Sequence, residues 1–482
     1  MNEAIRSLGP TALWNHFADL NAVPRASKKE ERVIAFMKSF GEKLGLETMV
    51  DQAGNVIIKK PGTKGKEQAT VVALQSHLDM VHQKNGDTDF DFDTEGIRMK
   101  VDGDWVKAEG TTLGADNGIG VAAIMALLAS TDIPHPPLEA LFTIDEETGM
   151  TGAFALKGGL LAAGILLNLD TEEDNELTIG CAGGLDVTAS GMYREEPATP
   201  GDVALHVKVT GLSGGHSGTD IHKGLGNANK IMGRILLLGN THGLRVSRIM
   251  GGGLRNAIPR ESEATVTLPP STEASFRKAF TALVAEIIAE HRTTDPELKI
   301  ELTAAEMPTQ VMEPQEQTRF LQAVQACPNG IHRMSPDVEG LTQTSNNLAR
   351  IELKDGMYTV LCLTRSSVDS EKLDEANAIK AVFELIGGKV EFSGSYPGWT
   401  PRPDARIVTL MSGIYRDRFK EEPHVLACHA GLECGILGTN YPGMEMISFG
   451  PTIRGAHSPD ERASISSVQK FWGYLLETLE RI

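Results

Sequence analysis

The sequence predicts an α/β protein whose sheet-bearing core is interrupted by an inserted α+β domain, and three observations lead there. Strand-like and helix-like segments alternate through the first part of the chain, and such alternation packs as a sheet with helices on both faces. After Gly183-Gly184 the texture changes to period-two strands, longer helices and a hairpin. Beyond the segment Tyr396-Pro397-Gly398-Trp399-Thr400-Pro401 the first texture resumes. The expected domains are therefore 1–185, 186–398 and 399–482, with the first and last sharing one core. A chain of 482 residues is too long for one ordinary core, which agrees with that division.

Each element has a local reason. Residues 11–20 and 28–44 space their apolar side chains helically, and Gly45 supplies a stop. Residues 55–60 and 70–75 read as strands, and 116–130 as a helix opened by Asp116 and Asn117. A strand at 138–144, a helix at 153–161 and a short buried strand at 165–169 complete the first segment. In the insert, 203–210 and 263–268 alternate, while 226–238, 275–291 and 371–385 are helical. Residues 348–353 and 357–364 flank a Lys354-Asp355-Gly356 turn as a hairpin, and 390–395 is a strand. The last segment carries a helix near 404–418, a strand near 444–450 and a helix at 466–481.

Composition narrows the function. The 46 Lys and Arg stand against 64 Asp and Glu, a formal charge of −18. Phosphate binding needs clustered basic residues, so this surplus argues against nucleic acid and against an anionic membrane surface as partners. The apolar runs fall short of the roughly 20 residues that span a bilayer, and residues 1–10 lack the pattern of a secretory signal. Five scattered cysteines without a CxxC pair read as thiols of a reducing compartment, and the expectation is a cytoplasmic protein. Most of the acidic surplus is expected to be solvated surface; the remainder are candidate metal ligands.

The candidates sit at strand and loop ends. The buried run over 70–75 ends, and His77 and Asp79 follow two residues apart on the same side, where the Asp can bond the far nitrogen of a metal-bound imidazole. Asp116 lies among glycines at a helix start, a position that equally suits a helix cap. Asp145, Glu146 and Glu147 directly follow an apolar strand, and packed carboxylates raise one another's pKa unless a cation neutralises them. Asp170 closes another apolar strand, and His457 stands in the loop Gly455-Ala456-His457-Ser458-Pro459-Asp460-Glu461. Two histidines and several carboxylates, with no cysteine, suit a divalent ion held by N and O donors. Zinc is favoured, with manganese or cobalt as alternatives. The acidic run at 87–93 does not fit an EF-hand loop, because Phe92 and Arg98 stand where Gly and Glu are needed. It reads as an edge strand or packed loop. Gly251-Gly252-Gly253 lacks the strand–turn–helix context of a phosphate loop.

In this order, the motifs resemble the co-catalytic zinc peptidase superfamily of carboxypeptidase G, peptidase T, aminoacylase and the carnosinases. The likeness is strongest to its aminoacyl-histidine dipeptidases, the cytosolic non-specific dipeptidases. Further matching pieces are Val23-Pro24-Arg25-Ala26-Ser27, the Gly211 to Gly218 segment around His216, Asn256-Ala257-Ile258-Pro259, and His429-Ala430-Gly431-Leu432-Glu433-Cys434-Gly435. The resemblance implies a catalytic domain with a mixed sheet flanked by helices, interrupted by a lid domain that also forms a homodimer. It implies two divalent ions: His77 and Asp170 on one, Glu147 and His457 on the other, and Asp116 bridging, with a cis peptide after it. Asp79 would orient His77, and Glu146 would be the general base toward a water shared by the ions. In the lid, His216 would donate to the oxyanion and Arg365, helped by Asn256, would capture the terminal carboxylate of a dipeptide. Glu433 would receive its ammonium group, although a helix-start carboxylate is an equal reading of that residue. The implied activity is hydrolysis of dipeptides, including Xaa-His dipeptides. An N-acyl amino acid deacylase of the same superfamily and a non-catalytic metal- or peptide-binding protein are the rival readings.

Overall fold

A computed structural model describes residues 2–482. Its mixed α/β fold, with sheets flanked by helices, is the class the sequence predicts. Contacts divide the chain into two compact units. Unit 1 comprises 1–180, 399–427 and 432–482, and unit 2 comprises 181–398 and 428–431. Unit 2 thus begins at Cys181, where the sequence texture puts the change after 185, and it takes in the short stretch 428–431 as well.

Unit 1 is built on an eight-stranded sheet in the order Glu47–Val50, Val56–Lys60, Leu138–Thr143, Val72–His77, Ile165–Asn168, Glu445–Ser448, Glu176–Cys181 and His424–Cys428. The strands Leu138–Thr143, Val72–His77, Ile165–Asn168 and Glu445–Ser448 run parallel to one another, while the neighbours on either side are antiparallel. Leu138–Thr143, Val72–His77 and Ile165–Asn168 are buried along their whole length, as parallel strands covered on both faces must be. Helix Ala115–Ala129 is apolar on all sides and almost wholly buried, packed against Val72–His77 and helix Thr11–Leu20. Final helix Ile465–Arg481 is amphipathic and buries Val468, Phe471, Tyr474, Leu475 and Leu479.

Unit 2 has its own apolar core under a nine-stranded antiparallel sheet. Its long hairpin, Thr342–Lys354 and Met357–Ser366, turns through Asp355 and Gly356, both at positive φ (52° and 73°). An Asp-Gly pair tolerates that backbone, which is why the turn is legible in the sequence.

One local expectation changes, one of two alternatives is selected, and one helix is added. The helix expected over 153–161 is only Thr151–Ala155: Leu156 is already extended (ψ 120°), and Gly158 and Gly159, the latter at a positive φ of 85°, keep the chain from resuming the helix. The acidic run 87–93 is a loop: Asp91 accepts from Asp93 N–H and Thr94 Oγ1, and Phe92 stacks on His82. Helix Pro314–Ala326 was not foreseen; Glu313 caps it by accepting from Glu316 N–H, with Pro314 at its first turn. No helix among the described residues is long and apolar enough to cross a membrane.

Gly120 tests the packing around the strand ends. A Cβ there would meet Asn117 Oδ1, Ser76 Oγ and, at 2.8 Å, the Leu169 carbonyl oxygen. Gly120→Ala gains about 1 kcal/mol of helix propensity, but overpacking against a backbone carbonyl costs about 1–3 kcal/mol. The expected net result is a lower Tm in scanning calorimetry; an unchanged or raised Tm would mean that the contact yields.

Candidate metal centre

The carboxyl ends of the parallel strands converge on one cluster, as they do in open α/β sheets. His77 ends its strand and is buried, and Asp170 lies two residues past Asn168. Glu146 and Glu147 open the short helix Glu146–Gly149, which follows Leu138–Thr143 after Asp145 turns the chain with a left-handed φ of 52°. Asp116 stands near the start of helix Ala115–Ala129, and its peptide to Asn117 is cis. His457 lies in the loop before strand Arg462–Ser464 and has a left-handed φ of 63°.

Asp116 is common to two groups of donors. Its Oδ1 lies 3.2 Å from His77 Nε2, which is 3.5 Å from Asp170 Oδ1. Its Oδ2 lies 3.2 Å from His457 Nε2, which is 2.9 Å from Glu147 Oε2. The donor atoms of His77, Asp116 and Asp170 fall within 4.8 Å of one another, and so do those of Asp116, Glu147 and His457. Glu147 Oε1 is buried and accepts no hydrogen bond from any described residue. A buried carboxylate oxygen without a partner is costly unless a cation meets it, and two His/carboxylate groups sharing one Asp suit a pair of divalent ions.

Asp79 sits behind His77. Its carbonyl oxygen is 3.1 Å and its Oδ1 3.4 Å from His77 Nδ1. It also accepts from Ser27 Oγ at 2.8 Å, Glu146 N–H at 3.1 Å and Glu147 N–H at 3.3 Å. Burial opposes its charge, but the His77 ring, Ser27 and the Glu146 N–H hold its pKa down to about 2. Bonds to Asp116 and Glu147 push His457 up to about 11 against its partial burial. Each histidine thus faces carboxylates, and Asp79 lies against His77 Nδ1 while Asp116 and Asp170 lie against its Nε2.

The sequence matches peptidase family M20/M25/M40 over residues 73–481. The chain belongs to that family. It is 40% identical over 481 residues to the cytosol non-specific dipeptidase of Escherichia coli (strain K12), covering 99% of each chain. It resembles the crystal structure of aminoacylhistidine dipeptidase from Vibrio alginolyticus with a TM-score of 0.96 and 43% identity, over 100% of this chain and 99% of that one. Aminopeptidase PepT from Bacillus cereus shares the fold, with a TM-score of 0.57 at 16% identity over 98% of both chains. This member of the M20/M25/M40 family is accordingly an enzyme, a hydrolase.

The remaining candidates are divided between the units. In unit 1, Glu433 begins helix Glu433–Asn440 and is buried. Its Oε2 accepts from Gln75 Nε2 at 2.6 Å and Thr143 Oγ1 at 2.7 Å, its Oε1 has no described partner, and burial lifts its pKa to about 7. In unit 2, His216 Nδ1 accepts from the N–H groups of Gly218 and Thr219 at 3.2 and 3.1 Å. Burial and the Arg365 charge lower its pKa, and an Nδ1 that accepts from two N–H groups leaves the neutral ring's proton to Nε2, which lies 3.5 Å from Arg365 Nη2. Arg365 is buried and donates to Tyr396 Oη at 2.7 Å and Ser217 Oγ at 3.3 Å. Asn256 is exposed, and its carbonyl accepts from Ser217 N–H at 2.8 Å. The sequence marks Tyr396 only as part of a linker, and nothing in it pairs the residue with Arg365.

Because Asp116 belongs to both groups, Asp116→Ala should weaken the hold on both ions, whereas Asp170→Ala and His457→Ala should each weaken one. Metal content per chain after dialysis against a weak chelator measures this. Loss of a single ion in Asp116→Ala would contradict the shared role.

Proposed function

We propose that the chain hydrolyses dipeptides with broad specificity, Xaa-His dipeptides included, at a two-metal centre. The observation that carries the reading is Asp116, whose two oxygens face two separate His/carboxylate groups. The names of the Escherichia coli and Vibrio alginolyticus relatives support the substrate class. When bound, two divalent ions (zinc by donor type, with manganese or cobalt as alternatives) polarise a scissile carbonyl and make a water more acidic. His77, Asp116 and Asp170 would hold one, and Asp116, Glu147 and His457 the other.

The chain's own residues do the rest. Glu146, clustered with His77 and Glu147, takes the proton of the attacking water and returns it to the leaving amine. Burial and the charges of Asp170, Glu433 and Glu147 raise its proton affinity against the opposing pull of His77, which suits a group that must act as base and then acid. His216 donates from Nε2 to the developing oxyanion. Arg365 presents a planar fork to the substrate's terminal carboxylate, with Asn256 assisting. Glu433 offers its unpartnered Oε1 to the ammonium group. In this reading unit 1 is catalytic, unit 2 is a lid and the surface of a homodimer, and the enzyme is cytoplasmic, in keeping with the name of the Escherichia coli relative.

Glu146→Gln should keep the metal content of the wild type and lose about 10²–10⁴-fold in kcat; near-normal turnover would remove Glu146 from the base role. A panel of Ala-His, Gly-Gly and N-acetyl amino acids, assayed with and without a chelator, tests the substrate class. Hydrolysis of the dipeptides that is lost on chelation and restored by metal is expected. Activity confined to the N-acetyl compounds would make the enzyme a deacylase, and binding without turnover would make it a non-catalytic protein.

A further inference from the structure

The loop before helix Ala115–Ala129 is gripped from two sides by residues that donate no ligand atom. Glu461 is 2% exposed, and its carboxylate accepts from consecutive backbone N–H groups. Oε2 takes Leu113 at 2.7 Å and Gly114 at 2.9 Å, and Oε1 takes Ala115 at 2.7 Å and Asp116 at 3.1 Å. Gly114 makes this convergence feasible: its left-handed φ of 69° curls the chain so that successive N–H groups face one point. Arg25, 1% exposed, holds the opposite side of the same peptide. It donates to Gly114 O at 2.6 Å, to Leu78 O at 3.0 Å and to Asp79 O at 3.1 Å, and is itself held by Asn21 Oδ1 at 3.1 Å. A Cβ on Gly114 or Gly118 would run into the Arg25 guanidinium, so the fit is close.

These contacts link segments that carry different ligands. Glu461 is four residues past His457, and the turn between them is closed by Ser458 N–H on Gly455 O at 3.2 Å and Glu461 N–H on Ser458 O at 3.0 Å. The Asp116 segment is therefore bonded to the His457 loop through Glu461, and to the His77–Asp79 strand end through Arg25. We propose that Glu461 and Arg25 are positioning residues that clamp residues 113–116 between them and so set where the shared Asp116 stands relative to His77 on one side and His457 on the other. The inference rests on the two-metal reading. It adds that ion affinity at both groups depends on a carboxylate and a guanidinium that touch neither ion.

The rival account is that Glu461 merely caps a helix. Glu445 supplies the comparison, since it accepts from the Arg406 and Ile407 N–H groups at the start of helix Arg406–Phe419 in the same unit. Chelator-stripped wild type, Glu461→Gln, Glu445→Gln and Arg25→Lys are titrated with zinc against a chromophoric chelator well below their melting temperatures. The Tm of each stripped protein is recorded in parallel. In Glu461→Gln an NH2 group faces N–H donors in place of one oxygen, and in Arg25→Lys a single ammonium replaces the fork across three carbonyls.

The expected result is two ions bound by wild type and about 10–100-fold weaker binding of both by Glu461→Gln and Arg25→Lys. Their KM for Ala-His should stay within about threefold of wild type while kcat falls. Glu445→Gln should lower Tm without changing zinc affinity. Wild-type affinity in a folded Glu461→Gln, or an equal loss in Glu445→Gln, overturns the positioning role alone. If Glu461→Gln does not fold, normal affinity in Arg25→Lys overturns it equally. Failure of wild type to bind two ions instead overturns the metal reading on which the inference rests.

Discussion

Asp79, Glu146, Glu147 and Asp170 follow the ends of neighbouring strands in unit 1, Asp116 joins them from the start of helix Ala115–Ala129, and carboxylates at that spacing repel one another. Glu30, Asp145 and Glu461 are buried close by, which adds to the problem. Much of the local backbone can be understood as the means of tolerating this charge. Asp79 is met by the N–H groups of Glu146 and Glu147, Glu30 by those of Lys28 and Asp145, and Glu461 by the loop 113–116. Backbone donors carry no counter-charge, but their fixed dipoles stabilise an ionised acid and hold it in one orientation. The buried guanidinium of Arg25 adds a full positive charge, and burial lowers its pKa only to about 10, so it stays cationic at neutral pH.

The same constraint separates the duties of adjacent glutamates. Glu147 turns its Oε2 to His457, whereas the Glu146 carboxylate lies in the cluster with His77. On a helical turn, consecutive side chains diverge by about 100°. An adjacent pair can therefore serve two different places without competing for one.

What the sequence shows of this site follows from range. Period-two alternation relates Asp79 to His77 across a single intervening residue, so that pairing is readable from the chain alone. Acids directly after apolar runs likewise mark Glu146, Glu147 and Asp170. The fold class and the Asp355-Gly356 turn are legible for similar reasons, being local periodicity and local turn chemistry. Sheet order is not: strand Glu445–Ser448 lies between Ile165–Asn168 and Glu176–Cys181, and no local pattern reports that neighbour. Glu461 stands in a motif whose histidine drew attention, yet its partners are backbone N–H groups some 345 residues away, which have no side-chain signature. Tyr396 escaped for a related reason. Its place beside Arg365 depends on strands Gly183–Met192, Met357–Ser366 and Lys389–Tyr396 being neighbours, while its own segment reads as a Pro/Gly-rich connection.

The interior position of strand Glu445–Ser448 has a consequence for synthesis. Until it leaves the ribosome, Ile165–Asn168 has only Val72–His77 of its two parallel partners and presents a buried-type, largely apolar edge. Unit 2 lies between them in the chain and has its own core. At ~5–20 residues per second, the nascent sheet therefore waits on the order of tens of seconds for its missing strand. During that interval an unpaired parallel edge is exposed to other chains.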